Sequence, residues 1–233
     1  MTLDPLLQEL RGAPEPVLRL RNEMPGPDPR VLALLSGSFD PLTIGHAALA
    51  EAALNHADLV LFVYSVRTLP KEEGVPGPLL SEDERVAVLE AFSQPRPGIE
   101  PALCSHGLLT EQVDAAAARF PSSDLALVMG SDKVRQLLDP KWYEDRELAL
   151  RLLFSRARVL YAVRSGDDGV VEALLEQPQN SPWHDRFVRL DVPPEVAAVS
   201  SRLVRDGLVT GRDVTPLVPF EARALLEGRR PPA

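Results

Sequence analysis

The chain has 233 residues, more than one unit of roughly 150 would need but short for two full domains, so one domain with extensions is expected. Apolar residues at 45% and charged residues at 25% are the proportions of a soluble globular protein, and 5% aromatics make its core aliphatic. Acids outnumber bases by 34 to 25, and the net charge of -9 argues against a general nucleic-acid or anionic-membrane surface while leaving room for a local basic pocket.

Residues 1–30 read as an N-terminal Pro-rich extension. Residues 3–10 can form a short helix, but Pro14, Pro16, Pro25, Pro27 and Pro29 punctuate the chain beyond it. Regular alternation begins at Val31, which opens the domain assigned to 31–233. The run 31–35 is short, aliphatic and flanked by Pro29 and Gly37, as a buried strand is. An Ala- and Leu-rich helix is expected over 47–55 and a strand over 59–64. Gly74, Pro76, Gly77 and Pro78 mark a long loop.

Ser81 and Glu84 form an S-x-x-E capping box that opens a helix running to about Phe92. A weaker strand comes next over 99–103, then a helix capped by Thr110 and reaching Arg119. Strands are expected over 125–129, 158–163 and 187–190, with a helix over 170–176 and a closing helix that starts at Pro219. Short aliphatic strands alternating with helices imply an α/β fold: a Rossmann-like, doubly wound parallel sheet with helices on both faces.

A single cysteine, Cys104, excludes an internal disulfide framework and a cysteine-rich metal site, and a reducing compartment fits it. His46, His56, His106 and His184 lie far apart without metal-ligand spacing, so no protein metal site is expected. No segment approaches the roughly 18 consecutive apolar residues of a membrane span. The acidic N-terminal stretch lacks a signal pattern. These features predict a cytoplasmic protein with no membrane or nucleic-acid partner, and a homo-oligomer is compatible with them.

The segment from Ser36 to His46 leaves the first strand and ends in the first turn of a helix. Gly37 and Gly45 permit close backbone approach, and exposed N–H groups at a helix start attract anions. Thr43 and His46 add two donors for phosphate oxygens, spaced to share one pocket. The pattern is neither G-x-G-x-x-G nor a Walker loop.

The run Gly37-Ser38-Phe39-Asp40-Pro41-Leu42-Thr43-Ile44-Gly45-His46 resembles the G-x-F-x-P-x-[HT]-x-G-H signature of the HxGH-type (cytidylyltransferase-like) nucleotidyltransferase superfamily. About 160 residues later, Val199-Ser200-Ser201-Arg202-Leu203-Val204-Arg205 is similar to that superfamily's [IV]-S-S-T-x-x-R, with Arg202 in place of threonine. Met129-Gly130-Ser131-Asp132 and Trp142-Tyr143 resemble features of the nicotinamide/nicotinate mononucleotide adenylyltransferase branch, and the likeness spans roughly residues 31–228.

The resemblance implies adenylyl transfer from ATP, with Mg²⁺, to a pyridine mononucleotide, giving NAD or deamido-NAD and pyrophosphate. It places His46 at the α-phosphate, Thr43 in phosphate orientation and Arg205 on the leaving β- and γ-phosphates. Lys71 assists there, alongside Gly37, Ser38, Phe39, Gly45, Ser200 and Ser201, and Asp132 lies near the ribose. Trp142 and Tyr143 would bind the acceptor ring.

Several plainer readings stay open. Ser200 and Ser201 are also good helix caps, Trp142 is also a core residue, and Lys71 is also a solvated loop charge. Arg164 is a further candidate for phosphate, and Asp40 is read as a brace for the loop. Phosphopantetheine adenylyltransferase, a cytidylyltransferase and a non-catalytic nucleotide-binding module remain alternatives. One corollary is independent of the acceptor: an acidic chain that binds anions must gather its basic groups in the pocket.

Overall fold

The computed structural model describes residues 5–22, 26–67, 77–167 and 169–229. Its elements, in chain order, begin with α1 (Pro5–Gly12), β1 (Leu18–Leu20), β2 (Val31–Ser36), α2 (Ile44–Ala53) and β3 (Leu59–Ser65). Next come α3 (Glu82–Ser93), β4 (Ile99–Cys104), α4 (Leu109–Arg119), β5 (Asp124–Gly130) and α5 (Ser131–Leu138). The chain continues with α6 (Arg146–Arg156), β6 (Ala157–Ala162), α7 (Val170–Leu175) and β7 (Phe187–Arg189), and ends with α8 (Pro194–Ala197), α9 (Ser201–Val209) and α10 (Phe220–Leu226).

Among the described residues seven strands form one sheet, in the order β1-β4-β3-β2-β5-β6-β7. β1 runs antiparallel to β4, and every other neighbouring pair is parallel. From β4 to β7 this is the doubly wound Rossmann order, with β2 at the centre. The chain steps from β2 to β3 on one side and returns to β5 on the other, so the crevice at the carboxyl ends of β2 and β5 is where such sheets bind ligands.

Period-two alternation divides the strands between two cores. Ala33, Leu35, Val60, Phe62, Ala126 and Val128 join side chains of α1, α2, α3, α9 and α10 in one. Leu32, Leu34, Leu59, Leu61, Leu125 and Leu127 join α4, α5, α6 and α7 in the other. A strand buried on both faces must be apolar at every position, which is why these runs show no polar alternation.

Four local outcomes differ from the sequence-based expectations. The helix expected from Ala47 starts at Ile44, because Thr43 caps it. Leu108, not Thr110, is the N-cap of α4; its side chain cannot cap, and the Leu108 N–H instead donates to the Glu111 carboxylate at 3.0 Å. Leu18–Leu20 forms an edge strand that its three residues do not announce, and α1 buries Leu7 and Leu10 against the first core. The helices α5 and α6 are likewise additions to the elements expected from sequence.

Candidate active site

The loop that leaves β2 is built around a buried aromatic ring. Phe39 is 1% exposed and stands edge-on to Phe62 and to the His46 imidazole, each at 5.3 Å between centroids. Its φ of 43° lies in the left-handed region that non-glycine residues rarely occupy, a strain that persists only when the surroundings over-determine it. A Cβ at Gly37 would lie 3.0 Å from this ring, so the space the glycine leaves is filled by Phe39.

Asp40 supplies the surroundings. Its buried carboxylate accepts from the N–H groups of Leu80 at 2.8 Å and Leu79 at 3.1 Å. Two arginines face it: Arg85 Nε at 3.6 Å and Arg205 Nη1 at 3.4 Å. Arg85 is itself buried and donates to the Leu80 and Ser38 carbonyls, so the charge is both paired and hydrogen-bonded. Asp40 is a brace, as its sequence context predicts.

Thr43 and His46 close a capping box at the start of α2, with histidine in the place usual for glutamate. The Thr43 N–H donates to His46 Nδ1 at 3.1 Å. The Thr43 hydroxyl oxygen lies 2.8 Å from the same nitrogen, and Nε2 has no protein partner among the described residues. The Thr43 hydroxyl is buried and donates to the Val199 carbonyl at 3.0 Å. Burial, then the charge of Arg164, lowers the His46 pKa from 6.5 to about 4. His46 is thus a neutral imidazole at neutral pH, with Nε2 open to a ligand.

The two motifs are clasped together by backbone acceptors. Besides Thr43 to Val199, the Ser201 hydroxyl donates to the Pro41 carbonyl at 2.7 Å, and Arg205 Nη1 donates to the Asp40 carbonyl at 2.7 Å. Ser200 is the N-cap of α9, accepting from the Leu203 N–H at 3.3 Å. A Cβ at Gly45 would lie inside contact distance of the Val199 carbonyl oxygen and 3.0 Å from that of Val196. Gly45 makes room for the second motif's own backbone, a requirement distinct from the close ligand approach expected of it.

Beside this junction lies an open cleft of about 810 Å³. Ser38, Asp132, Trp142 and Arg205, all singled out from sequence, line it together. So do Lys133, Arg135, Lys141 and Arg202, with Asp139 and Gln136. Five basic residues face two acidic ones in a chain of net charge -9, which is the local concentration of cations an anion site requires. Trp142 is 55% exposed, so it is free to stack rather than committed to the core.

Other expected site residues lie elsewhere. Tyr143 packs against the second core and its hydroxyl donates to the Leu137 carbonyl at 2.6 Å, away from the cleft lining. Gly37, Phe39, Thr43, Gly45, His46, Ser200 and Ser201 do not line the cleft; they build the loop–helix junction that carries Ser38 and Arg205. Lys71 falls outside the described residues.

The cations Lys133, Arg135 and Lys141 are not among the residues expected from sequence, nor is α5, which carries the first two. The available signal is the apolar set Val134, Leu137 and Leu138 at helical spacing, which turns the intervening polar residues outward. Arg164, a candidate in the sequence, makes a 3.2 Å ion pair with Asp132 and acts on His46 through its charge. A Cβ at Gly130 would lie 2.7 Å from both Arg164 Nε and Asp132 Oδ1, so a side chain there would displace this ion pair.

Known proteins bear on this geometry directly. The sequence profile of the family described as cytidylyltransferase-like matches residues 34–206. A probable nicotinate-nucleotide adenylyltransferase of Treponema pallidum (strain Nichols) is 30% identical over 211 residues, covering 85% of this chain and 97% of its own. Proteins of the same description from Methylibium petroleiphilum and Rhodopirellula baltica are 30% and 23% identical, covering 82% and 85% of this chain and 84% and 92% of their own. The profile match runs from inside the central strand to one residue beyond Arg205, and so takes in both halves of the clasp: this chain belongs to the cytidylyltransferase-like family.

Proposed function

We propose that the protein transfers the adenylyl group of ATP to nicotinate or nicotinamide mononucleotide, releasing pyrophosphate. The observation that carries this reading is the cleft at the sheet's switch point, where Arg205, tied to the phosphate loop through Asp40, meets an exposed Trp142 within one cation-rich space. The names of its relatives support a pyridine mononucleotide acceptor, and the acid form in particular. Catalysis, adenylyl transfer and the soluble, cytoplasmic setting go together in this reading. No helix among the described residues is long and apolar enough to cross a membrane.

The chemistry needs no protein nucleophile. An oxygen of the acceptor's 5′-phosphate attacks the α-phosphorus in line, a new P–O bond forms, and the bond to pyrophosphate breaks. Positioning and charge neutralisation lower the barrier. His46 donates from Nε2 to the α-phosphate oxygens as charge builds there. Arg164 adds a positive charge near His46. Arg205 holds the departing phosphates with the guanidinium face that Asp40 leaves free, and Ser38 adds a donor.

Mg²⁺ bound to ATP would neutralise and orient its phosphates. An ion carried by phosphate oxygens needs one or two carboxylates at most, and Asp132 and Asp139 are those of the cleft; the described residues hold no cluster of three or more ligating side chains. Residues 31–233 are read as the catalytic unit, with residues before 31 an extension that adds α1 and β1 at the sheet edge.

Pyrophosphate release from Mg-ATP, measured with each pyridine mononucleotide in turn, tests the reading. Release with nicotinate mononucleotide is expected. Silence with both, accompanied by turnover of phosphopantetheine or of CTP with an alcohol phosphate, would move the chain to another branch. ATP binding without release from any acceptor would make it a nucleotide-binding module.

The acceptor side has its own test. Trp142→Ala should raise the KM for the mononucleotide roughly tenfold, the size of one lost ring-stacking contact. Tyr143→Phe removes only the hydroxyl bonded to Leu137, so KM should hold while stability falls by about 1 kcal/mol in denaturant titrations. A larger KM effect from Tyr143 than from Trp142 would reverse these assignments.

A further inference from the structure

Position 202 is where this chain departs from the second motif, with arginine where the family pattern has threonine. Arg202 stands in the first turn of α9, three residues before Arg205, so the two share a helix face, and both line the cleft. Two effects oppose a cation there. The positive end of the helix dipole lies at that turn, and a like charge three residues on repels it.

Nothing among the described residues offsets them. Arg205 is held by the Asp40 carbonyl and carboxylate. Arg202 makes no hydrogen bond or ion pair among the described residues, Asp206 on the next turn included, although the chain carries 34 acids. An unpaired arginine beside a second one, in a cation-lined cleft, is an arrangement that a polyanion relieves.

We propose that Arg202 is a second guanidinium on the leaving end of ATP, gripping the β- and γ-phosphates beside Arg205 with a charged fork in place of the motif's hydroxyl. The inference rests on ATP being the nucleotide donor, as argued above. A planar fork can take two phosphate oxygens at once, and pyrophosphate keeps those oxygens after transfer. Arg202 therefore acts on ATP and on the pyrophosphate product alike, and leaves the acceptor untouched.

The test compares wild type with Arg202→Thr, Arg202→Lys and the control Arg119→Thr. Arg119 closes α4, near the starts of the strands, and its replacement makes the same change in net charge. In Arg202→Thr the KM for ATP and the inhibition constant of pyrophosphate should both rise about tenfold. The acceptor KM should stay within twofold, and the rise of the ATP KM with salt should become shallower. Arg202→Lys, which keeps charge without the fork, should fall between, and Arg119→Thr should match wild type.

An ATP KM and a pyrophosphate inhibition constant within twofold of wild type in Arg202→Thr would overturn the proposal. So would a uniform change in all constants together with the melting temperature, the mark of a structural role. If wild type releases no pyrophosphate with any acceptor, the functional reading fails first. Calorimetric titration of ATP and pyrophosphate into wild type and Arg202→Thr then decides Arg202: about tenfold weaker binding in the variant upholds it, and equal affinity or no binding to either refutes it.

Discussion

His46→Ala should lower the rate of pyrophosphate release by about 10²–10³, the usual cost of one preorganised donor to a charge that develops in the transition state. The fold should survive, because the ring's hydrogen-bond ties are both to Thr43, its hydroxyl at 2.8 Å and its N–H at 3.1 Å, and water can replace them at a half-buried helix start. The loss should fall on kcat more than on the KM of ATP, since the donor acts where charge accumulates. A change below threefold would remove His46 from the mechanism.

The same residue sets a pH dependence. Its folded pKa of about 4 lies below the ordinary 6.5, so between these values the unfolded chain takes up a proton that the folded chain refuses. Stability should therefore be indifferent to this group above pH 6.5 and decline as the pH falls toward 4, by at most about 3 kcal/mol. Denaturation midpoints at acid and neutral pH, taken for wild type and His46→Gln, check it: the variant should lose part of the acid sensitivity. Activity should show no titration near 6.5 from His46. A rate profile that loses activity with a pKa near 6.5, and keeps that shape after every other histidine is replaced, would contradict the neutral-donor assignment.

Gly45→Ala is expected to destabilise the protein strongly. The added carbon meets two backbone carbonyls, those of Val199 and Val196, and neither can swing aside as a side chain would. Overpacking of this kind costs about 3 kcal/mol, which lowers the melting temperature of a chain this size by roughly 10 °C. ATP binding should weaken in parallel, because the displaced backbone leads into the helix that carries Arg205. Gly12→Ala is the contrast: nothing lies within 4 Å of its added carbon, and its melting temperature should match wild type. Equal thermal shifts in the two variants would mean that the motifs are not clasped as described.

Much of this protein is legible in the residue order because the signals concerned are local. The strands expected over 31–35, 59–64 and 125–129 are unbroken apolar runs, and Ser81 with Glu84 forms the capping box that opens α3. The two motifs, with their order and spacing, point to a phosphate site in a doubly wound sheet. What the spacing of Thr43 and His46 does not reveal is that they bond to each other first, both through Nδ1, which leaves Nε2 as the ring's open nitrogen.

The tertiary structure decides what depends on segments far apart in the chain. Leu18–Leu20 is a strand only because the edge of β4 offers it partners. Trp142 faces the cleft and Tyr143 the core, a division between neighbours that no sequence pattern announces. The cation field arises where α5 and α9, about 70 residues apart, bring Arg135, Lys133, Arg202 and Arg205 to one space. Period and capping are written residue by residue, whereas the facing of a side chain across a cleft is set only when burial of both apolar cores fixes each helix against the sheet.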